Sequence, residues 1–323
     1  MHTDSFPPSP TTSAAPLDST PSGPPAPAPS PEPGREFPLR DVFVGPHGLY
    51  PGTRWLIYLA MGGMLALVLG SVVQALHHHS PGAIWWGMVS EGALMMAAIL
   101  PGFVMARIEG RPFGAFGLPS RGAFGRDFWI GALWGIGFLT ALMLMLRVAG
   151  VFSFGSLSLH GLRIAKFAAY YAFFFLAVGF FEEFMMRGYS QWVLSQGMRF
   201  WPAAALLSAG FGAIHSGNSG ESKIGLIAAG LIGFFFCLTL RRTGMLWWAV
   251  GFHMAWDWGE SFLYSVPDSG GMSPGHLLNS SFNGPEWLTG GSVGPEGSVL
   301  IFVILLALWL LFDQVYREVK YSS

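Results

Sequence analysis

Residues Ala177–Leu194 read AVGFFEEFMMRGYSQWVL, two adjacent carboxylates and an arginine set into an apolar, aromatic run. An ionisable side chain at the centre of a membrane helix costs roughly 2.5 to 3.5 kcal/mol on insertion scales, and such residues face a bundle interior or an aqueous cavity, not lipid. Glu182, Glu183 and Arg187 fall within one stretch of six residues, so this run is expected to line the inside of a helical bundle. Glu183 and Arg187 are spaced i, i+4 in the order that favours an ion pair. Glu182 points about 100° away from Glu183. One carboxylate is therefore neutralised by Arg187, and the other is left available for chemistry.

Composition agrees with a membrane bundle. Apolar residues make up 52% of the chain and charged residues only 11%, well outside the range of ordinary soluble proteins. Apolar runs of about the 20 residues needed to cross a bilayer lie near Trp55–Leu76, Ala83–Ala106, Phe128–Leu146, Ile164–Leu194, Trp201–His215, Ile224–Leu240, Met245–Tyr264 and Ser298–Phe312. The expected fold is all-α, a polytopic transmembrane helical bundle of about eight spanning helices, of which the fifth and last are short.

Residues 1–50 are a different material. Twelve of the 23 prolines precede Arg40, and this Pro/Ser/Ala/Thr sequence cannot bury a core; a disordered cytosolic tail is expected, followed by one membrane domain over 51–323. The tail lacks the features of a cleaved signal, so the first spanning helix is expected to direct insertion. Thirteen Lys and Arg fall on one side of the spans, Arg187 counted among them, and four on the other. By the positive-inside rule both termini are cytoplasmic, and Ser265–Gly297, which contains no Lys or Arg, is an extended outer loop. A net charge of −1 gives no support to a nucleic-acid partner. The lone Cys237 excludes an intrachain disulfide.

Two later spans carry further polar groups. FGAIH ends the fifth at His215, and HMAWDW places His253 and Asp257 at i, i+4 in the seventh. At about 1.5 Å per residue, three helices bring Glu182, His215, His253 and Asp257 to a similar depth. Glu91 is a candidate for the same cavity and Glu260, on the face of His253, for its polar wall. His77, His78 and His79 are expected in an exposed loop. Spacings of the GxxxG type are expected to mark close helix packing. Trp85, Trp86, Trp247 and Trp248 are expected as interfacial anchors, and Phe116–Pro119 as a membrane-surface element.

EEFMMR fits E-E-x-x-x-R, FGAIH fits F-x-x-x-H through Phe211 and His215, and HMAWD fits H-x-x-x-N/D, in this order on successive helices. Over about residues 163–264 the chain resembles the CAAX protease and bacteriocin-processing (CPBP, or Abi) family of intramembrane endopeptidases. The resemblance implies hydrolysis of peptide bonds in or near the membrane. Glu182, His215 and His253 would form the catalytic core, Asp257 would stand beside them, and Glu183 with Arg187 would support the helix and the local field. The substrate would be a peptide or membrane-anchored protein, in contact with membrane lipid, and the location a prokaryotic cell membrane.

Peptide hydrolysis needs an activated water, oxyanion stabilisation and protonation of the leaving amine, and Glu182 is the candidate base. Two alternatives stay open. Glu182, His215, His253 and Asp257 also make a reasonable ligand set for a divalent metal such as zinc, so the cofactor is either none or such an ion. Asn is frequent in the family where this chain has Asp257; an ionised Asp would repel an oxyanion, so Asp257 is either protonated or serves differently. The rival reading from another class is a non-catalytic scaffold or transporter using the same polar cavity.

Overall fold

The computed structural model describes residues 43–46, 48–78, 85–272 and 274–321. The proline-rich tail lies almost entirely outside them, as does His79. Helices α1 (Pro51–His77), α2 (Trp85–Ile108), α3 (Arg126–Val148) and α7 (Lys223–Thr243) are each long and apolar enough to span a bilayer. A fifth such element begins as α4 (Leu162–Glu183), runs through a π-helical stretch at Phe184–Ser190 and ends as α5 (Gln191–Met198). This is a helical bundle of an integral membrane protein.

Three further apolar segments form helices too short to cross alone: α6 (Phe200–Ile214), α8 (Trp247–Trp258) and α9 (Ile301–Val315). At about 1.5 Å per residue, 15 residues reach some 22 Å against a hydrocarbon core of about 30 Å. The expected eight spans thus resolve into five full-length ones and three partial ones. The shortfall has a structural use. A helix that stops inside the membrane leaves backbone polar groups that must be buried in protein or line a water-filled cavity; α6 ends at His215, whereas α8 carries His253 and Asp257 and runs on through a π-helical stretch to Tyr264.

Glycine sets the closest packing. Gly131 and Gly135 of α3 face the backbone carbonyls of Trp248 and Phe252, and Gly251 of α8 faces that of Phe128; a Cβ at any of the three would collide with the opposing backbone. The two helices meet main chain to main chain, the usual geometry of small-residue membrane interfaces. Gly179 brings α4 onto the same helix, where an added Cβ would sit 3.6 Å from the His253 Cβ. α8 is therefore clamped on two sides, which holds His253 and Asp257 against the motif helix. At the opposite end, Arg54 pairs with Glu109 at 2.6 Å, and Tyr189 donates to the same carboxylate at 3.0 Å. That cluster laces α1, α2 and the π stretch together.

Several expectations need correction. Trp247 and Trp248 are not interfacial anchors: both are buried, and the Trp248 ring is fully enclosed among Phe235, Phe252 and Phe312, because the main-chain approach of α3 leaves this face no contact with lipid. Phe116–Pro119 is not a surface element either. Phe116 and Leu118 are buried, the Gly117 carbonyl accepts from Leu246 N at 2.7 Å, and the Pro119 carbonyl accepts from Trp247 Nε1 at 3.0 Å. Arg187 is fully buried, so it contributes nothing to charge asymmetry between loops. The segment after Tyr264 folds back onto the bundle: Phe152–Ser153 pairs antiparallel with Ser281–Phe282, and Leu277 N donates to Phe262 O at 3.0 Å.

Candidate active site

The first motif sits at the junction where α4 passes into its π-helical stretch. π-Helical turns inside α-helices are uncommon and concentrate at functional sites, and this one lies immediately after the two glutamates. Glu183 and Arg187 are both fully buried and pair at 3.2 Å through Oε1 and Nη1. The Arg187 guanidinium also lies over the Phe211 ring, 4.3 Å from its centroid, with Phe236 at 5.8 Å. Gly233 makes room for it, since a Cβ there would run into Nη2. A desolvated cation is thus balanced by one carboxylate and two aromatic faces.

Glu183 has a second partner. Its Oε1 lies 3.0 Å from His253 Nδ1. A carboxylate has no proton to give, so the imidazole donates through Nδ1–H and turns Nε2 the other way. That nitrogen stands 3.5 Å from Glu182 Oε2 and 3.5 Å from Asp257 Oδ2. Glu183 therefore fixes both the ring orientation and the tautomer of His253, the service that carboxylates commonly render to functional histidines.

His215 is oriented by its own helix. Its Nδ1 lies 2.8 Å from the Phe211 carbonyl one turn earlier, so Nδ1 carries a proton and Nε2 is left free. The F-x-x-x-H spacing thus places two features with one residue: the Phe211 ring covers Arg187, and its carbonyl sets the His215 tautomer. Among the described residues His215 forms no ion pair with a carboxylate.

These groups share one cavity of 390 Å³, into which Glu182, His215, His253 and Asp257 all open. The Glu182 side chain keeps 23% of its accessible surface, against none for Glu183; the burial of the two adjacent carboxylates differs as their 100° separation requires. Glu91 opens into the same space, but Glu260 does not line it. The latter is fully buried behind the wall, so its assignment as cavity wall is corrected. The cavity carries six carboxylates (Glu91, Glu182, Glu221, Asp257, Asp268 and Glu296), and no Lys or Arg is among its lining residues.

Asp268 and Glu296 were not singled out from the sequence, since both lie in the irregular segment after Tyr264. Burial pushes both carboxyls up from the ordinary carboxylate range, with the Asp257 and Glu296 charges adding to the effect on Asp268. The only hint in the sequence was a long loop without a basic residue.

The supposed metal ligands do not close into a set. His253 Nε2 is near both Glu182 and Asp257, yet among the described residues the group of three or more His, Cys, Asp or Glu whose ligand atoms all lie within 4.8 Å of one another is Glu260, Asp268 and Glu296. The quartet on the motif helices is not such a group, although each histidine has its Nδ1 bonded and its Nε2 free, as ligating imidazoles do. The four side chains do not all stand within 4.8 Å of one another in this arrangement, so no step is derived through an ion.

Fold and site together define a helical membrane protein with a polar cavity enclosed at the ends of partial helices. Residues 164–259, the segment that carries all three motifs, match the family model described as Rce1-like, type II CAAX prenyl endopeptidase. No curated protein and no solved structure matches the chain. The family supports membrane peptidase activity on a peptide or protein substrate.

Proposed function

We propose that the protein hydrolyses peptide bonds of membrane-associated substrates through a water activated by Glu182. One observation carries this reading: Glu182 and His253 Nε2 face the same cavity 3.5 Å apart, while Glu183 holds the opposite edge of that imidazole. Glu182 takes a proton from water as its oxygen bonds to the scissile carbonyl carbon. The C–N bond then breaks, and Glu182 returns the proton to the departing amine. The free Nε2 of His215 holds the water. His253, kept in place by Glu183, supplies a positive Nε2 edge to the oxyanion. Asp257, 3.5 Å from that nitrogen, is read as a partner that favours the imidazolium, which gives an Asp a use where an Asn would donate directly.

The cavity suits an apolar chain carrying a polar peptide bond. Phe174, Phe175, Val178 and Phe181 line it on the α4 side, so a lipidated or apolar segment entering from the membrane meets apolar walls before the carboxylates. Prenylated CAAX-type sequences are one such substrate class. Orientation with both termini cytoplasmic is part of this reading; it rests on the twelve basic residues left after Arg187 is removed from the thirteen, against four.

The test is cleavage of a membrane-peptide library by the purified protein and its Glu182→Gln variant, each with and without a strong chelator. Cleavage lost in the variant and indifferent to chelator supports the glutamate mechanism. Loss with chelator alone moves the chemistry to a metal, and cleavage untouched by the substitution removes Glu182 as the base.

A further inference from the structure

Glu260 lies in the turn that continues α8, three residues after Asp257, and is fully buried with neither carboxylate oxygen hydrogen-bonded. Burying an unpaired carboxylate is among the costliest things a fold can do. Its two neighbours are also acids. One oxygen from each of Glu260, Asp268 and Glu296 lies within 4.8 Å of the other two. No Lys or Arg lines the adjoining cavity.

The surroundings are ordered around this gap. Asp268 and Gly271 exchange backbone hydrogen bonds of 3.0 and 2.7 Å, and Gly270 N donates to Val293 O at 3.0 Å, which ties the Asp268 turn to the segment leading to Glu296. Ser261 Oγ donates to Asp268 at 3.3 Å; Trp256 Nε1 and Ser269 Oγ donate to Glu296 at 3.1 and 3.2 Å. Two of the three acids are thus held in place by donors, while Glu260 stands beside them fully buried.

We infer that Glu260, Asp268 and Glu296 form a binding site for a hard divalent cation, calcium in preference to magnesium. The ligands are all oxygen, which selects hard ions. Calcium accepts irregular sets of oxygen ligands at about 2.4 Å, whereas magnesium demands near-octahedral geometry and keeps several waters, which a fully buried carboxylate does not favour. A bare ion also suits the burial: Glu260 is outside the cavity lining, beyond the reach of a substrate's basic side chain. The bound ion would pin the outer end of α8 to the segments carrying Asp268 and Glu296, and so hold Asp257 and His253 in register. This site is independent of the catalytic reading.

The test is thermal unfolding of the full-length, chelator-stripped protein in detergent during a calcium titration at constant ionic strength. Half-maximal effect is expected near 0.1–1 mM, roughly the range of weak extracellular calcium sites, with a rise of about 3–6 °C at saturation and a smaller rise with magnesium. Glu260→Gln and Asp268→Asn should each fold without calcium, at a Tm no lower than that of the parent, and lose the shift. Glu182→Gln should keep it. A parent protein indifferent to calcium overturns the site and leaves the acids sharing protons. A shift that survives Glu260→Gln but vanishes in Glu182→Gln moves the ion to the catalytic cavity. An equal shift with lysine amide assigns the cluster to cationic side chains instead.

Discussion

Two groups of buried acids border one cavity, and they solve the cost of burial in opposite ways. In the motif cluster, Glu183 is matched by Arg187 and by His253, and Arg187 is itself sandwiched by aromatic rings. Seven residues after His253 and three after Asp257, Glu260 has no such partner, and its neighbours are further acids. The first cluster brings its counter-charge along on the same chain. The second must obtain one from outside. The contrast shows that acid content alone says little about a site; what distinguishes the two is whether the partners are built in.

The largest expected effect tests what the built-in partners leave free. Glu182→Gln keeps shape and removes the base, so cleavage should fall roughly 10²–10⁴-fold while unfolding is little changed, since Glu182 is the partly exposed carboxylate of the pair. Comparable cleavage in parent and variant would break the division of labour between the two glutamates.

Glu183→Gln should act in the other currency. Removing one partner of a buried pair strands the other, at about 3–5 kcal/mol, and it also frees the His253 ring. Replacing both Glu183 and Arg187 by leucine should recover much of the stability without restoring cleavage. Equal stability of the single variant and the parent, measured by denaturant unfolding in detergent, would mean that Arg187 is satisfied by its aromatic neighbours alone.

Glu260→Gln is expected to have the opposite sign. In the absence of calcium it should stabilise the protein on the order of 1 kcal/mol, because a neutral amide costs less to bury than an unpaired carboxylate among acids. Destabilisation in chelator would put Glu260 with Glu183 as an internally paired group and erase the contrast.

Much of the motif cluster was legible in the sequence because it is local. Glu183 with Arg187, Phe211 with His215, and His253 with Asp257 are each i, i+4 pairs, and a helix fixes their geometry wherever it sits in the fold. Relations between helices were not legible: nothing in the spacing shows that His253 Nδ1 meets Glu183 or that Gly233 clears space for Arg187. That the fifth and last spans are short was legible; what they pack against was not, for a related reason. Hydropathy reports which residues avoid water, and α6, α8 and α9 avoid it against protein as well as lipid. Trp248 illustrates this, an aromatic residue near a span end that serves as core. Asp268 and Glu296 escaped notice because a loop has no period to betray which of its residues converge.

The smallest expected effect sharpens the account of Arg187. Phe211 offers its ring face to the guanidinium 4.3 Å away, and its carbonyl holds His215. Phe211→Leu removes the ring and keeps the carbonyl, so stability should fall by about 1 kcal/mol for the cation–π contact, with a further packing loss from the smaller side chain. The two parts are separable by a double-mutant cycle with Arg187→Met. If the ring serves the cation, part of the cost of Phe211→Leu disappears once the charge is gone; if it serves only to fill space, the cost is the same in both backgrounds. The His215 tautomer, read from the nitrogen NMR profile of its imidazole, should be unmoved in either case, because a backbone carbonyl survives the substitution. A shifted profile would mean that the ring, and not the carbonyl, sets the histidine, and the F-x-x-x-H spacing would then have one physical reason instead of two.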